Sequence, residues 1–299
     1  MPLRNRNRNT IPNFRKVGGF TGLLDEYGGA AAAYSVRRLS STYEGAIIEI
    51  RVDTAGQPVY DIGFDSNGDL DTADLLSKAG GNDAFVRTWY DQSGNGSDAT
   101  QTTISNQPQI VNSGVLLKIN TKPSLSFDGI KMFLLNNSLA ASSTQSVFYV
   151  KKGLNLASNS SLFGFPTTVS NTQIGIYYFN SPPYYYGFNT WAADCWGYSN
   201  ANSEFLSQTL EMALFKNNNP STSGVKLFIN NNNKTLSQVL GTSVNRIMNN
   251  GFRIGIGGTA TNNENFDGYM QEIIIWSNDY SIINRTNIKN KINSYFSIY

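Results

Sequence analysis

The stretch TLEMALFKNNNPSTSGVKLFINNNNK, residues 209–234, shows the pattern that decides the fold. Apolar side chains fill two runs of strand length, 209–215 and 226–230, and Asn, Ser, Pro and Gly occupy the gaps between them. Asn tolerates the positive φ angles of tight turns, so the Asn runs suit loop tips. Short strands divided in this way are typical of an all-β sandwich or barrel.

The same pattern of short strands divided by polar turns continues over 107–299, which predicts that this part forms the body of a β-sandwich. Further strands are expected at 124–127, 146–150, 173–179, 252–257 and 269–276. Isoleucines at helical spacing in 281–296 predict a short closing helix. The expected fold is mostly β: a concanavalin A/laminin-G-like jelly-roll β-sandwich.

The part before this body, 21–106, is expected to be a small α+β strap packed on the sandwich. Its alanine run and Arg37-Arg38 predict a helix over 23–39. A hairpin is expected over 47–52 and 59–64, and a strand over 85–90. A helix over 72–78 would begin at Asp71 or Thr72 and end at Gly80-Gly81.

Residues 1–20 form a basic arm that carries no acid up to residue 16. With a net charge of +2, of which the arm carries +5, the remaining chain sums to 2 − 5 = −3. The arm is either a solvated tail or a docking arm that orders on an acidic partner. Its charged residues are Arg4, Arg6, Arg8, Arg15 and Lys16.

Composition excludes several function classes. The chain has no histidine, which removes Ser-His-Asp and Cys-His nucleophile systems. Cys195 is the only cysteine, so no intrachain disulfide can form. No apolar run approaches the length of a membrane span, and the N-terminus lacks the apolar region of a secretory signal. We expect no cofactor, and a protein made in a reducing cytoplasm.

One segment spaces oxygen ligands as calcium loops do. It holds Asp65, Asn67, Asp69 and Asp71 around Gly68. A bidentate Glu at the required later position is missing, and an Asn-Gly turn followed by a helix cap explains the same residues without metal. Calcium is therefore only a weak candidate here.

The densest aromatic cluster lies at 177–198 and suggests a glycan-binding site, because aromatic faces stack on sugar rings. The alternative is sandwich core plus a subunit interface. The candidate ligand-binding residues are Tyr184, Tyr185, Tyr186, Trp191, Asp194 and Trp196.

Four motifs resemble the catalytic domain of α-L-arabinofuranosidase B: AYSVRRL at 33–39, YDQSGNG at 90–96, IGIGG at 254–258 and FDGYM at 266–270. The opening block and 63–71 also resemble phage structural proteins. The FDG at 127–129 and the strand and helix after Gly268 are typical of laminin-G-like jelly rolls.

The resemblance implies two catalytic carboxylates about 5–5.5 Å apart, as in retaining glycosidases. It places Trp196 at the nucleophile position and Thr259 at the acid/base position. Both expected carboxylates are therefore replaced, and the resemblance predicts a scaffold without enzymatic activity.

The resulting interpretation is a bacteriophage virion protein, either a head fibre or capsid decoration, or a tail fibre or adhesin. It would be released by lysis, contact other virion proteins and host-surface glycan, and form a homo-oligomer such as a trimer. One rival is an arabinofuranosidase-like glycosidase with displaced carboxylates: Asp194, Glu204, Glu264 or Asp267. The other rival is a structural particle component without a ligand.

Overall fold

The computed structural model describes residues 19–166, 174–182, 184–190, 194–217, 224–242, 248–257 and 264–299. Within these ranges the chain is mostly β. The helices are α1 (Leu23–Glu26), α2 (Thr72–Ala79), α3 (Asn202–Leu206) and α4 (Ile282–Phe296). None of them is both long enough and apolar enough to cross a membrane.

The strands of the first half are β1 (Ala30–Ser35), β2 (Ile48–Val52), β3 (Val59–Ile62), β4 (Ala84–Trp89), β5 (Ala99–Thr100), β6 (Gln109–Asn112), β7 (Val115–Leu116), β8 (Lys118–Ile119), β9 (Lys122–Pro123), β10 (Leu125–Asp128) and β11 (Leu134–Asn136). Those of the second half are β12 (Thr144–Gly153), β13 (Ser160–Phe165), β14 (Ile174–Phe179), β15 (Tyr185–Asn189), β16 (Asp194–Tyr198), β17 (Thr209–Lys216), β18 (Val225–Ile229), β19 (Asn232–Asn233), β20 (Ser237–Gly241), β21 (Phe252–Ile254) and β22 (Asp267–Trp276).

Two antiparallel layers form the sandwich. In the first layer β22 lies between β12 on one side and β1 and β10 on the other, and β17, β18 and β19 follow β12. The second layer runs β11, β21, β13, β14, β15, β16 and β20. This architecture confirms the predicted mostly-β sandwich, with which a jelly-roll description is compatible.

Aromatic side chains join the two layers. The Phe163 ring from the second layer lies 4.8 Å, centroid to centroid, from Tyr149 of the first. Phe215 of the first layer packs edge-on against Phe165 at 5.2 Å and Phe188 at 5.0 Å. Edge-to-face contacts of this kind add stability beyond the area that they bury. An aromatic core therefore lies between the two layers.

The predicted helix over 23–39 is wrong in most of its length. Helix α1 ends at Glu26, and the alanine run forms β1 against β22. Ala32 and Ala33 are fully buried beside Ile274 and Ile275. Small side chains suit this crowded place, and strand pairing overrides the weak helical preference of alanine.

The other predicted elements of the first 106 residues are confirmed. Strands β2 and β3 form the antiparallel hairpin, and β4 follows α2. The Asp71 side chain accepts from the Asp74 N–H at 2.9 Å, and Gly80 adopts a left-handed φ of 57° where α2 ends. Strand β1 pairs with β22 and β5 pairs with β11, so this part shares its ladder with the body. The expected boundary near 106 stays a prediction.

The YDQSGNG segment folds as a turn around Asp91. Its carboxylate accepts the backbone N–H groups of Ala33, Ser93 and Ser97 at 2.8–3.0 Å. Hydrogen bonds to a charged acceptor are stronger than neutral ones. The carboxylate thus holds β1 and the turn together.

A buried ion pair joins the adjacent strands β12 and β17 on the inner face of the first layer. Lys151 Nζ lies 3.2 Å from Glu211 Oε1, and both side chains are fully buried. Glu211 Oε2 also accepts from the hydroxyls of Tyr149 at 2.6 Å and Tyr186 at 2.7 Å. Lys151 donates to two backbone carbonyls of α3 at 2.9 Å each. Burial lowers the pKa of Lys151, and the adjacent Glu211 carboxylate opposes this shift.

Candidate active site

Two carboxylates stand side by side on the outer face of the first layer. Asp128, at the end of β10, lies directly opposite Asp267, at the start of β22. Residues opposite each other on antiparallel strands project from the same face, with Cβ atoms about 4.5–5.5 Å apart. Phe127 and Phe266 beside them are buried in the core. This alternation turns both aspartates outward, where each is partly exposed.

Asp128 is held in a tight turn at the end of its strand. Its Oδ1 accepts the backbone N–H groups of Ile130, Lys131 and Met132 at 2.9–3.0 Å. Hydrogen bonds to a carboxylate are stronger than neutral ones, so these three donors fix the position of the Asp128 side chain. Among the described residues Oδ2 has no hydrogen-bond donor, which leaves this oxygen for an incoming group.

Asp267 has a different environment. Its partial burial raises the pKa of this carboxyl above the usual value, and the negative charge of Asp128 raises it further. A hydrogen bond from Asn155 acts in the opposite direction. The Asn155 Oδ1 accepts the Ala157 N–H at 2.7 Å, which leaves the amide nitrogen to donate to Asp267. A carboxyl whose pKa is raised in this way is suited to act as a general acid.

The next row of the same face adds an aromatic ring. Tyr269 on β22 lies between Ser126 on β10 and Lys152 on β12. All three are partly exposed and project from the face that carries Asp128 and Asp267. We call these five residues the carboxylate face. An aromatic ring with hydroxyl, ammonium and carboxyl groups around it is suited to contact a sugar.

The coupling between the two carboxyls can be tested directly. Replacing Asp128 with Asn removes a negative charge that raises the pKa of Asp267, so that pKa is expected to fall. It should stay above its usual value, because partial burial is the larger cause and is retained. Carboxyl ¹³C NMR titration measures the change, with Asp74→Asn on α2 as a control expected to leave it unaltered. An unchanged or higher pKa for Asp267 in Asp128→Asn would show that the two groups do not interact.

The other three carboxylates considered from sequence have different neighbours. Asp194 is fully buried, and its Oδ1 accepts from Trp196 Nε1 at 2.7 Å and Gln238 Nε2 at 2.8 Å. Glu204 accepts from the Tyr198 hydroxyl and pairs with Lys234. Glu264 accepts from Asn159 Nδ2 at 3.1 Å. Of the four rival candidates, Asp267 is the one with a second carboxyl opposite it on the adjacent strand.

The aromatic cluster divides between surface and interior. Tyr184 is exposed, whereas Tyr185 and Tyr186 are buried on opposite faces of β15. Trp196 is partly buried and packs on the main core. Trp191, Thr259 and the arm residues Arg4, Arg6, Arg8, Arg15 and Lys16 lie outside the described residues. The glycan-binding role of this cluster and the docking role of the arm stay predictions.

The weak calcium candidate is occupied by protein contacts. Asp65 Oδ1 accepts the N–H groups of Asn67 and Asp69 at 2.8 and 2.9 Å, and Asp71 caps α2. Asp69 pairs with Lys122 at 3.1 Å. No group of three or more His, Cys, Asp or Glu side chains suited to a metal ion occurs in the described ranges.

Among solved structures, this architecture is similar to that of arabinofuranosidases. One, solved with arabinofuranosyl-α-1,2-xylobiose, matches with a TM-score of 0.62 at 15% identity, covering 88% of this chain and 62% of the other. A GH54 α-L-arabinofuranosidase variant, soaked with 4-nitrophenyl α-L-arabinofuranoside, matches with a TM-score of 0.60 at 16% identity and covers the same shares of the two chains. The chain thus spans 62% of the length of these enzymes. No family model and no curated protein matches the sequence.

These matches show an arabinofuranosidase-like β-sandwich. They also contradict the expectation of a scaffold without enzymatic activity, because three matched structures that cover 88% of the chain are those of arabinofuranosidases. That expectation rested on Trp196 and Thr259 at two family positions. It overlooked the opposed pair Asp128 and Asp267. The laminin-G and phage parts of the resemblance gain no support from these matches and stay predictions.

Proposed function

We propose that the protein is an arabinofuranosidase-like glycoside hydrolase that acts on a surface polysaccharide. The observation that carries the proposal is the position of Asp128 opposite Asp267 on an accessible face. A cross-strand separation of about 5 Å between Cβ atoms suits the separation of about 5–5.5 Å between the carboxyls of retaining glycosidases. The fold shared with arabinofuranosidases supports the same reaction class.

The two carboxyls supply the two roles that retention requires. Asp128 attacks the anomeric carbon and forms a glycosyl ester, while the Asp267 carboxyl gives its proton to the departing glycosidic oxygen. Asp267, now a carboxylate, takes a proton from water as the water oxygen attacks the same carbon. The ester to Asp128 breaks, the sugar leaves with the hydroxyl, and both carboxyls return to their starting forms.

The different environments of the carboxyls match these roles. Three backbone N–H groups hold the Asp128 carboxylate in a fixed position, as a nucleophile requires. The raised pKa of Asp267 favours the protonated form that a general acid requires. Hydrolysis should therefore fall as the pH rises through the pKa of Asp267, since the acid loses its proton there. Tyr269 lies in the adjacent row of the same face, where its ring can contact the bound sugar.

A chromogenic arabinofuranoside assay tests this function. The purified protein should release 4-nitrophenol from 4-nitrophenyl α-L-arabinofuranoside faster than a preparation of Asp267→Asn made in parallel. Proton NMR of the first product should show retained anomeric configuration. Release no faster than that of the variant, or an inverted first product, would refute the proposal.

The virion location, the head or tail position, the partner proteins and a trimeric assembly stay predictions from the sequence. Electron microscopy of an intact particle that contains the protein would test them. They are independent of the hydrolase proposal, because a particle protein can carry a hydrolytic domain.

A further inference from the structure

One cation of the carboxylate face has no partner among the described residues. Lys152 is partly buried, yet no described carboxylate or carbonyl accepts from its ammonium group. Lys151 and Lys122, by contrast, pair with Glu211 and Asp69. An ammonium group partly withdrawn from water is stabilised by a charged acceptor, so Lys152 is suited to bind an anionic group of a ligand.

The strand register places Lys152 beside the carboxyl pair. It lies directly opposite Tyr269, and Asp267 comes two residues before Tyr269 on β22. Such diagonal positions on antiparallel strands are about 7–8 Å apart, within reach of a long side chain. The ammonium group of Lys152 can therefore contact a sugar unit that adjoins the one held at Asp267.

A row of polar side chains leads to Lys152. Gln109 on β6 lies opposite Ser126 on β10, and Ser126 lies opposite Tyr269. All of these side chains are partly exposed. With about 4.8 Å between neighbouring strands, the row from Gln109 to Lys152 is about 14 Å long. Its length suits a chain of linked sugar units better than a single one, and its charged member lies at one end.

The charges of the face permit an anionic sugar at this end. In the proposed mechanism Asp267 is protonated when the substrate binds, so the pair carries only the negative charge of Asp128. Asp128 lies on β10, and β22 separates it from Lys152 on β12. Because the interaction weakens with distance, attraction by Lys152 at contact exceeds repulsion by Asp128.

We infer that Lys152 binds an anionic substituent of the substrate, and that the polysaccharide cleaved at this face is acidic. The inference rests on the proposed function, which places the bond to be cleaved at Asp128 and Asp267. A uronic acid carboxylate and a sulfate ester offer an ammonium group the same kind of charged acceptor, and the experiment has an arm for each.

Binding to oligosaccharides tests Lys152 without hydrolysis. The variant Asp267→Asn keeps the neutral charge of the protonated acid. It should bind an arabinoxylan oligosaccharide with one glucuronic acid unit about fivefold more tightly than the same compound with its carboxyl reduced to an alcohol, the effect of one partly exposed ion pair. A monosulfated oligosaccharide is compared with its desulfated form in the same way. Calorimetric titration measures the dissociation constants.

Two further substitutions locate the preference. Adding Lys152→Gln should reduce the ratio of dissociation constants from about five to about one. Adding Lys226→Gln should leave the ratio unaltered. Lys226 is also partly exposed, but the pairing of β18 with β17 and β12 places it level with Ser146, on the order of 20 Å along the strands from Lys152.

The outcomes distinguish the two proposals. A preference for the carboxylated compound, the sulfated compound or both that Lys152→Gln abolishes would support the anionic subsite and identify its source. A preference for neither, or one that Lys152→Gln leaves unchanged, would overturn it. Loss of the preference in Lys152→Gln, together with no hydrolysis by the unaltered protein, would support the subsite and refute the hydrolase proposal.

Discussion

Replacing Asp267 with Asn is expected to lower kcat/KM for an arabinofuranoside by a factor on the order of 10²–10⁴, the usual contribution of a general acid. Asn keeps the size and one oxygen of the side chain but has no proton to give. It also removes the charge repulsion from Asp128, so the fold should be retained. Steady-state kinetics on the purified variant measure the loss.

A matched substitution controls for the loss of a carboxylate as such. Asp74→Asn on α2 changes a carboxylate that is 41% exposed and pairs loosely with Lys78 at 3.9 Å. Its kinetics should equal those of the unaltered protein. If Asp267→Asn retained more than half of the activity, another residue would have to serve as the acid.

Glu211→Gln is expected to lower the free energy of unfolding by about 3–5 kcal/mol, because it leaves the Lys151 charge buried without its partner. The Tyr149 and Tyr186 hydroxyls lose a charged acceptor as well. Adding Lys151→Met to this variant removes the stranded charge and should restore part of the loss. Urea unfolding followed by tryptophan fluorescence measures each step.

An exposed ion pair supplies the control for this effect. Glu26 and Lys291 lie 2.6 Å apart with side chains 40% and 43% exposed. Solvent screens such a pair, so Glu26→Gln should cost less than about 1 kcal/mol. An equally small cost for Glu211→Gln would mean that the buried pair contributes little to the sandwich.

The strands of the body could be predicted because their side chains alternate and their turns are rich in Asn and Gly. For β22 the sequence predicts 269–276 and the structure has Asp267–Trp276. The helix predicted over the alanine run was wrong, because the conformation of this run depends on β22, which lies far away in the sequence. A predicted strand over 252–257 ends at Ile254, because Gly255 takes a left-handed φ of 82° there. The pairing partner of a strand and a positive φ angle within it depend on tertiary structure, which the local sequence pattern does not contain.

The site was harder to predict than the fold. Phe127-Asp128-Gly129 and Phe266-Asp267-Gly268 were visible as short motifs, and Asp267 was considered as a displaced carboxylate. Their mutual position depends on the register between β10 and β22, which aligns Phe127 with Gly268 and Asp128 with Asp267. Sequence alone could not supply this register. The one available signal was the same Phe-Asp-Gly unit occurring at both places.

A covalent trap tests the central claim most directly. An arabinofuranose-configured cyclic sulfate, the inhibitor type with which a GH54 enzyme structure was soaked, should esterify the nucleophile. Mass spectrometry of the digested protein is predicted to find the sugar adduct on Asp128, and to find none in Asp128→Asn. An adduct on Glu264 or another carboxylate, or no adduct under conditions of turnover, would contradict the assignment of Asp128 and Asp267 as the reacting pair.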